Sequence, residues 1–189
     1  MELEGLDKKV IWDMASEAGL ALGVTTCVIF LLQSVTSFES ASVALNLTGS
    51  VLGLLLWAAK FFGCIWLMKF FMKKLCLENP GADNIDTRRM GIAAAALSAI
   101  ICAAFQLAYA NFINPELYSE AMDTAISSYS NMLTSDEVSK LEELKGSLGN
   151  ISFFTNLIYC FVYGWILSLI LSKNIPSQNP FERDNTDNQ

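Results

Sequence analysis

The sequence predicts an all-α polytopic membrane protein: four transmembrane helices, with an extracytoplasmic helical hairpin between the third and fourth. Three observations predict it. Of the 189 residues, 53% are hydrophobic and only 16% are charged, against about 25% charged in an ordinary soluble domain. The charges are missing from four long blocks. Each block approaches or exceeds the roughly 20 residues a helix needs to cross a bilayer. Lipid offers no partner for peptide groups, so such blocks fold as helices.

The first block is 18–35, AGLALGVTTCVIFLLQSV. Its leader is long and mostly acidic, and its apolar run exceeds the usual ~7–15 residues of a signal peptide, so it reads as a retained span. The second block, 43–71, contains LLLWAAKFFGCIW, with Lys60 in its midst. The third, 90–112, is alanine-rich, and the fourth covers 151–171. The whole of 1–175 reads as a single membrane domain. The polar tail 176–189, with Pro176 and Pro180, is expected to be disordered. The connection LENPGADNIDTRR has turn chemistry and no catalytic pattern.

The segment 114–150 has helical signals of its own. Asn114 is a good N-cap and Pro115 suits a first helical position. Tyr118, Met122, Ala125, Tyr129 and Leu133 then recur at helical spacing. Thr134 and Glu137 form a capping-box pattern, followed by Val138, Leu141 and Leu148. Two short helices are therefore expected, with an apolar stripe against each other, the membrane surface or another protein. Glu116, Glu120 and Asp123 lie on another face and read as solvated.

Lysine and arginine bias sets orientation. Lys8 and Lys9 precede the first span, and Lys69, Lys73, Lys74, Arg88 and Arg89 cluster around the second connection. Lys173 and Arg183 follow the fourth span, whereas 114–150 has only Lys140 and Lys145. Both termini and the middle loop are expected in the cytoplasm, and the hairpin outside. The expected location is the cytoplasmic (inner) membrane of a bacterium.

Small residues let helices approach closely in lipid. Gly19 and Gly23 share GxxxG spacing, as do Gly49 and Gly53. Ala94, Ser98 and Cys102 follow one line of the third span. Ser152, Asn156, Cys160, Gly164, Ser168 and Ser172 follow one line of the fourth. These lines predict a close-packed bundle, or self-association of the chain into a homo-oligomer through one face.

Lys60 lies seven residues after Gly53. At 100° per residue it falls within about 20° of the glycine face and points into the bundle. No carboxylate lies within a span, so Gln33, Gln106, Asn156, Tyr159 and Tyr163 are its candidate partners. Three roles stand side by side: snorkelling toward the cytoplasmic interface, a place in a polar network, or a proton or solute site.

Several functions are excluded or unsupported. The net charge is −7 and there is no histidine, which argues against nucleic acid as a partner and removes histidine-based catalysis and ligation. Cys27, Cys64, Cys76, Cys102 and Cys160 include no closely spaced pair, so no cysteine metal motif is present. No catalytic residue, cofactor or metal is assigned, and the chain is not expected to be an enzyme.

The chain resembles a family of bacterial four-helix inner-membrane proteins known as a domain of unknown function. The matching residues are Tyr109, Phe112, Ile113, Asn114 and Pro115, then the run 134–144. The resemblance implies four spans, a short basic loop and an Asn-Pro-led outer helical loop, but no activity and no functional residue. The expected role is an accessory or assembly component acting through protein contacts at 114–150. A small oligomeric transporter or channel using Lys60 is the alternative. The lipid bilayer is the one partner common to both.

Overall fold

The computed structural model describes residues 6–36, 43–114, 116–129 and 132–176. Among them every regular element is helical: α1 (Lys8–Thr36), α2 (Val43–Glu78), α3 (Asn84–Ala108), α4 (Leu117–Tyr129), α5 (Ser135–Leu144) and α6 (Leu148–Ser172). Four helical stretches are long and apolar enough to span a membrane: Lys8–Ser34, Val51–Glu78, Asn84–Ile113 and Ser135–Ser172. The short connection 37–42, Pro115 and the tail beyond Pro176 lie outside the described residues.

The central helix is α3, which packs along α1 on one side and α6 on the other. Its alanines make this arrangement workable. Ala94 sits under Gly19 of α1, while Ala95 sits under Gly164 of α6. Neighbouring residues on a helix point about 100° apart, so adjacent alanines serve different partners. On α1 the buried positions are Ile11, Met14, Ala15, Ala18, Leu22 and Thr26, the spacing of a narrow helix–helix seam. Phe30 extends that seam with edge-on contacts to Phe105 and Tyr109, at 6.2 and 5.2 Å between centroids.

α2 joins the bundle by only part of its length. Met68, Phe71, Met72 and Leu75 are buried, whereas Val51, Leu54, Leu55 and Trp57 are exposed. The core therefore lies toward the end of the bundle that carries the α2–α3 loop, called the basic end below. There Asp83 caps α3, its Oδ1 accepting from the Ile85 and Asp86 amides at 2.8 Å each. Thr87 donates its hydroxyl to the Ile175 carbonyl at 2.8 Å. Asn84 donates to the Lys173 carbonyl at 3.2 Å, and Ser168 to the Arg88 carbonyl at 3.1 Å. Lys74 of α2 pairs with Glu17 of α1 at 2.8 Å, an exposed contact worth about 0.2–1 kcal/mol.

Several helix boundaries differ from the sequence reading, among them the end of α2 at Glu78, seven residues past the expected 43–71. α1 begins at Lys8 and α3 at Asn84, ten and six residues before the expected spans 18–35 and 90–112. The extra turns are amphipathic; Asp13 and Glu17 dilute their hydropathy while Ile11 and Met14 are buried.

Asn114 is also not the N-cap expected of it. The chain leaves α3 through a π-helical turn, Tyr109–Ile113, and the Asn114 amide donates back to the Tyr109 carbonyl at 2.9 Å. The proline that follows disfavours a helical Asn114, which adopts φ −135°, ψ 80°.

The hairpin has its expected second cap. The Thr134 hydroxyl receives the Glu137 amide, and the Glu137 carboxylate accepts from the Thr134 amide at 2.8 Å. An ion pair between Lys145 and Asp123 ties the two arms. Thr134→Ala is expected to cost α5 about 1 kcal/mol, read as faster amide exchange over 135–144 with α3 unaffected.

The bonds from Thr134, the backbone one foremost, hold the Glu137 carboxyl below its usual pKa. A depressed pKa adds stability above the unfolded value of about 4.3 and loses it as pH falls through the folded value. Protection of α5 should accordingly decline once pH drops below about 4.

Candidate functional site

Lys60 lies on a cavity between α1, α2, α3 and α6, with a volume of about 60 Å³. Helix geometry brings its lining together. Trp57, Lys60, Phe61, Cys64 and Met68 are offset by three, four, seven and eleven residues, so they form one face of α2. Tyr159, Cys160, Tyr163, Gly164 and Leu167 do the same on α6. α1 adds Leu22 and Thr26, and α3 adds Ala95, Ser98 and Cys102.

The cavity follows from unequal packing. At Gly164 an added Cβ would lie 2.6 Å from the Ala95 Cβ, so α3 and α6 are in backbone contact. At Gly53 an added Cβ would meet nothing within 4 Å. Rings fill part of the gap on the α2 side. Phe61 lies 4.6 Å from Tyr163 between centroids, and the Tyr163 hydroxyl reaches the Phe61 carbonyl at 3.5 Å.

The polar lining is rich in donors. Besides the Lys60 ammonium it has the hydroxyls of Thr26, Ser98, Tyr159 and Tyr163 and the thiols of Cys64, Cys102 and Cys160. Thr26 donates to the Leu22 carbonyl at 2.8 Å and touches the Cys64 sulfur at 3.8 Å. Cys102 directs its thiol to the Gly23 carbonyl at 3.8 Å. No aspartate or glutamate lines the cavity. Among the described residues Lys60 has no hydrogen bond or ion pair to the protein.

The sequence candidates divide. Tyr159 and Tyr163 line the cavity with Lys60, but Gln33, Gln106 and Asn156 do not. Asn156 donates to the Ser152 carbonyl at 3.0 Å, one turn back on its own helix. Gly19, Gly23 and Gly164 sit in tight contacts: an added Cβ would come within 2.8 Å of Leu97, 2.9 Å of Ile101 and 2.6 Å of Ala95. An added Cβ at Gly53 would meet nothing within 4 Å, and Val51, Leu54 and Leu55 around it are exposed. Gly49 lies among residues whose surroundings are not described.

Sequence reasoning missed Gly91, where a Cβ would come 2.5 Å from the Met72 methyl and closer still to the Ser168 hydroxyl. It also missed the gathering of one cysteine from each of α2, α3 and α6 on one cavity. Among the described residues no cluster of three or more His, Cys, Asp or Glu could hold a metal.

Four apolar helices around a small, mostly apolar cavity that carries one lysine, with an outer pair of short helices, define a multi-pass membrane protein. The chain belongs to the family described as "Protein of unknown function (DUF4199)", which matches residues 17–173. That match takes in α1 from Glu17 onward, the other three spanning helices, the hairpin and every residue on the cavity. No curated protein and no solved structure matches the chain.

Proposed function

We propose that this protein is a non-enzymatic component of a bacterial inner membrane that acts through protein contacts made by α4 and α5. One observation carries the reading. The hairpin is held by its own cap and ion pair, yet α5 contains no buried residue. Helices of 13 and 10 residues are marginal in isolation, since helices shorter than about 12–15 residues gain most of their stability from packing. An ordered hairpin that covers little of its own bundle is suited to covering something else.

The orientation belongs to the same proposal. The start of α1, the α2–α3 loop and the end of α6 meet at one end of the bundle through Leu6, Asp86, Thr87 and Ile175. Lys8 and Lys9 at the start of α1, Lys73 and Lys74 in the last turns of α2, Arg88 and Arg89 in the first turns of α3 and Lys173 just after α6 lie toward that end, which favours the cytoplasm for that end and the exterior for the hairpin.

The test is replacement of 116–147 by a short polar linker, followed by purification from native membranes in mild detergent. A bundle that stays folded but loses a stoichiometric second protein is the expected result. Collapse of the bundle would make the hairpin a structural prop. Recovery of nothing but copies of the chain, with or without the hairpin, would shift the reading to a small oligomeric transporter. The position of Lys60 on the interhelical cavity favours that second reading, which requires Lys60→Met to abolish flux while leaving the thermal midpoint in place.

A further inference from the structure

We infer that the Lys60 cavity is a binding site for the carboxylate of a membrane-borne amphiphile, a long-chain fatty acid, entering sideways from the bilayer. The inference is independent of the role of the hairpin.

The charge balance of the cavity is the first ground. A lysine at bilayer depth is costly to insert, and such residues are normally paired. Lys60 is half-buried, and among the described residues it has no ion pair or hydrogen bond. Of the polar groups that share the cavity with it, Thr26, Ser98, Cys102 and Tyr163 donate to backbone carbonyls, which leaves Tyr159, Cys64 and Cys160 as neutral donors for an anion beside the ammonium. A cation among donors, with no carboxylate in the lining, is complementary to a single anionic oxygen group.

Size is the second ground. A water molecule needs about 10–15 Å³ measured in this way. The cavity, at about 60 Å³, thus holds the equivalent of roughly four to six waters. A carboxylate has three heavy atoms and fits with a methylene or two behind it. A phosphodiester, with substituents on two sides, is a poorer fit.

Access is the third. α2 and α6 touch only sparsely. Trp57 and Tyr159, which line the cavity from these two helices, are 52% and 56% exposed. A gap between two spanning helices faces lipid rather than water. An acyl chain can leave through it past Trp57, Phe61 and Tyr159, while Leu22, Met68 and Leu167 form apolar wall. A freely soluble anion has no such reason to arrive from this side.

Native mass spectrometry of the full chain released from detergent tests the site, with oleate, methyl oleate and phosphatidylglycerol as separate probes. The expected result is one oleate per chain, with methyl oleate held at least roughly tenfold more weakly because the ester lacks the charge. Lys60→Met should lower oleate binding by a similar factor, and Lys60→Arg should retain most of it. Equal retention of oleate and its methyl ester overturns the proposal. So does oleate binding unchanged in Lys60→Met, or the absence of oleate binding. Phosphatidylglycerol bound in preference to oleate, and lost with Lys60, would overturn the carboxylate assignment in favour of a phosphate headgroup. The ester comparison uses the unmodified protein, so it decides the matter even if Lys60→Met fails to fold.

Discussion

Gly164→Leu is expected to part α6 from α3 and leave no folded bundle in mild detergent. The physical reason is that neither side of the contact can give. A Cβ at position 164 would lie 2.6 Å from the Ala95 Cβ and 3.3 Å from the Ala95 Cα. The second of these atoms is backbone in the central helix, which is held on its other face by Gly19 and Gly23 of α1. Extra methylenes in a packed core cost about 1–3 kcal/mol, and a leucine adds four heavy atoms where even one is too many. Native stabilities are only about 5–15 kcal/mol.

Gly164→Ala should already lower the thermal midpoint by several degrees. Gly53→Ala is the matched control. Nothing lies within 4 Å of its Cβ position, so the change should be neutral or gain up to about 1 kcal/mol from helix propensity. Circular-dichroism melts and size-exclusion profiles of the three variants would read this order. A Gly164→Leu protein that elutes and melts as wild type would mean that α3 and α6 do not meet at Ala95.

The contrast between Gly53 and Gly164 marks how far the sequence could be read. Four spans were legible because hydrophobicity sustained over about 20 residues has one physical outcome in lipid. Lines of small residues were legible as faces, since spacing on a helix fixes direction. Spacing says nothing of which helix arrives, or at what depth. Gly53 and Lys60 share a face of α2, yet seven residues separate them by about 10 Å along the axis. Over that distance α2 goes from open surroundings to the wall of the cavity.

The same limit hid the cavity itself. Cys64, Cys102 and Cys160 come from three different helices, and their depths agree only once the helices are set beside one another. Asn156 was misread for a simpler reason: a polar side chain within a span is satisfied by its own preceding turn as readily as by a neighbour. Asp86 was not singled out in the sequence, because nothing in DNIDTRR tells a solvated carboxylate from a buried one.

Asp86→Ala is expected to be the most damaging single change at the basic end. Asp86 is 1% exposed. Its Oδ2 accepts from the Asp83 amide at 3.4 Å, closing the capping box of α3, and from the Leu6 amide at 3.3 Å, just ahead of α1. Its Oδ1 lies 3.8 Å from the Arg89 guanidinium. One carboxylate therefore fixes where α3 starts and where α1 docks against it.

Alanine removes the acceptor and strands two partly buried amides, each at a cost of about 1–3 kcal/mol. A loss of about 2–4 kcal/mol is expected once partial access to water is allowed for. Asn keeps one acceptor oxygen, so Asp86→Asn should fall between alanine and wild type. Asp83→Ala, which removes only the cap, should cost about 1 kcal/mol. Hydrogen exchange discriminates these cases by location. Asp86→Ala should deprotect both the first turns of α1 and the first turn of α3, whereas Asp83→Ala should affect α3 alone. If 8–18 stays as protected in Asp86→Ala as in wild type, α1 is held at this end by the packing of Ile11, Met14 and Ala15, and the buried carboxylate does not dock it.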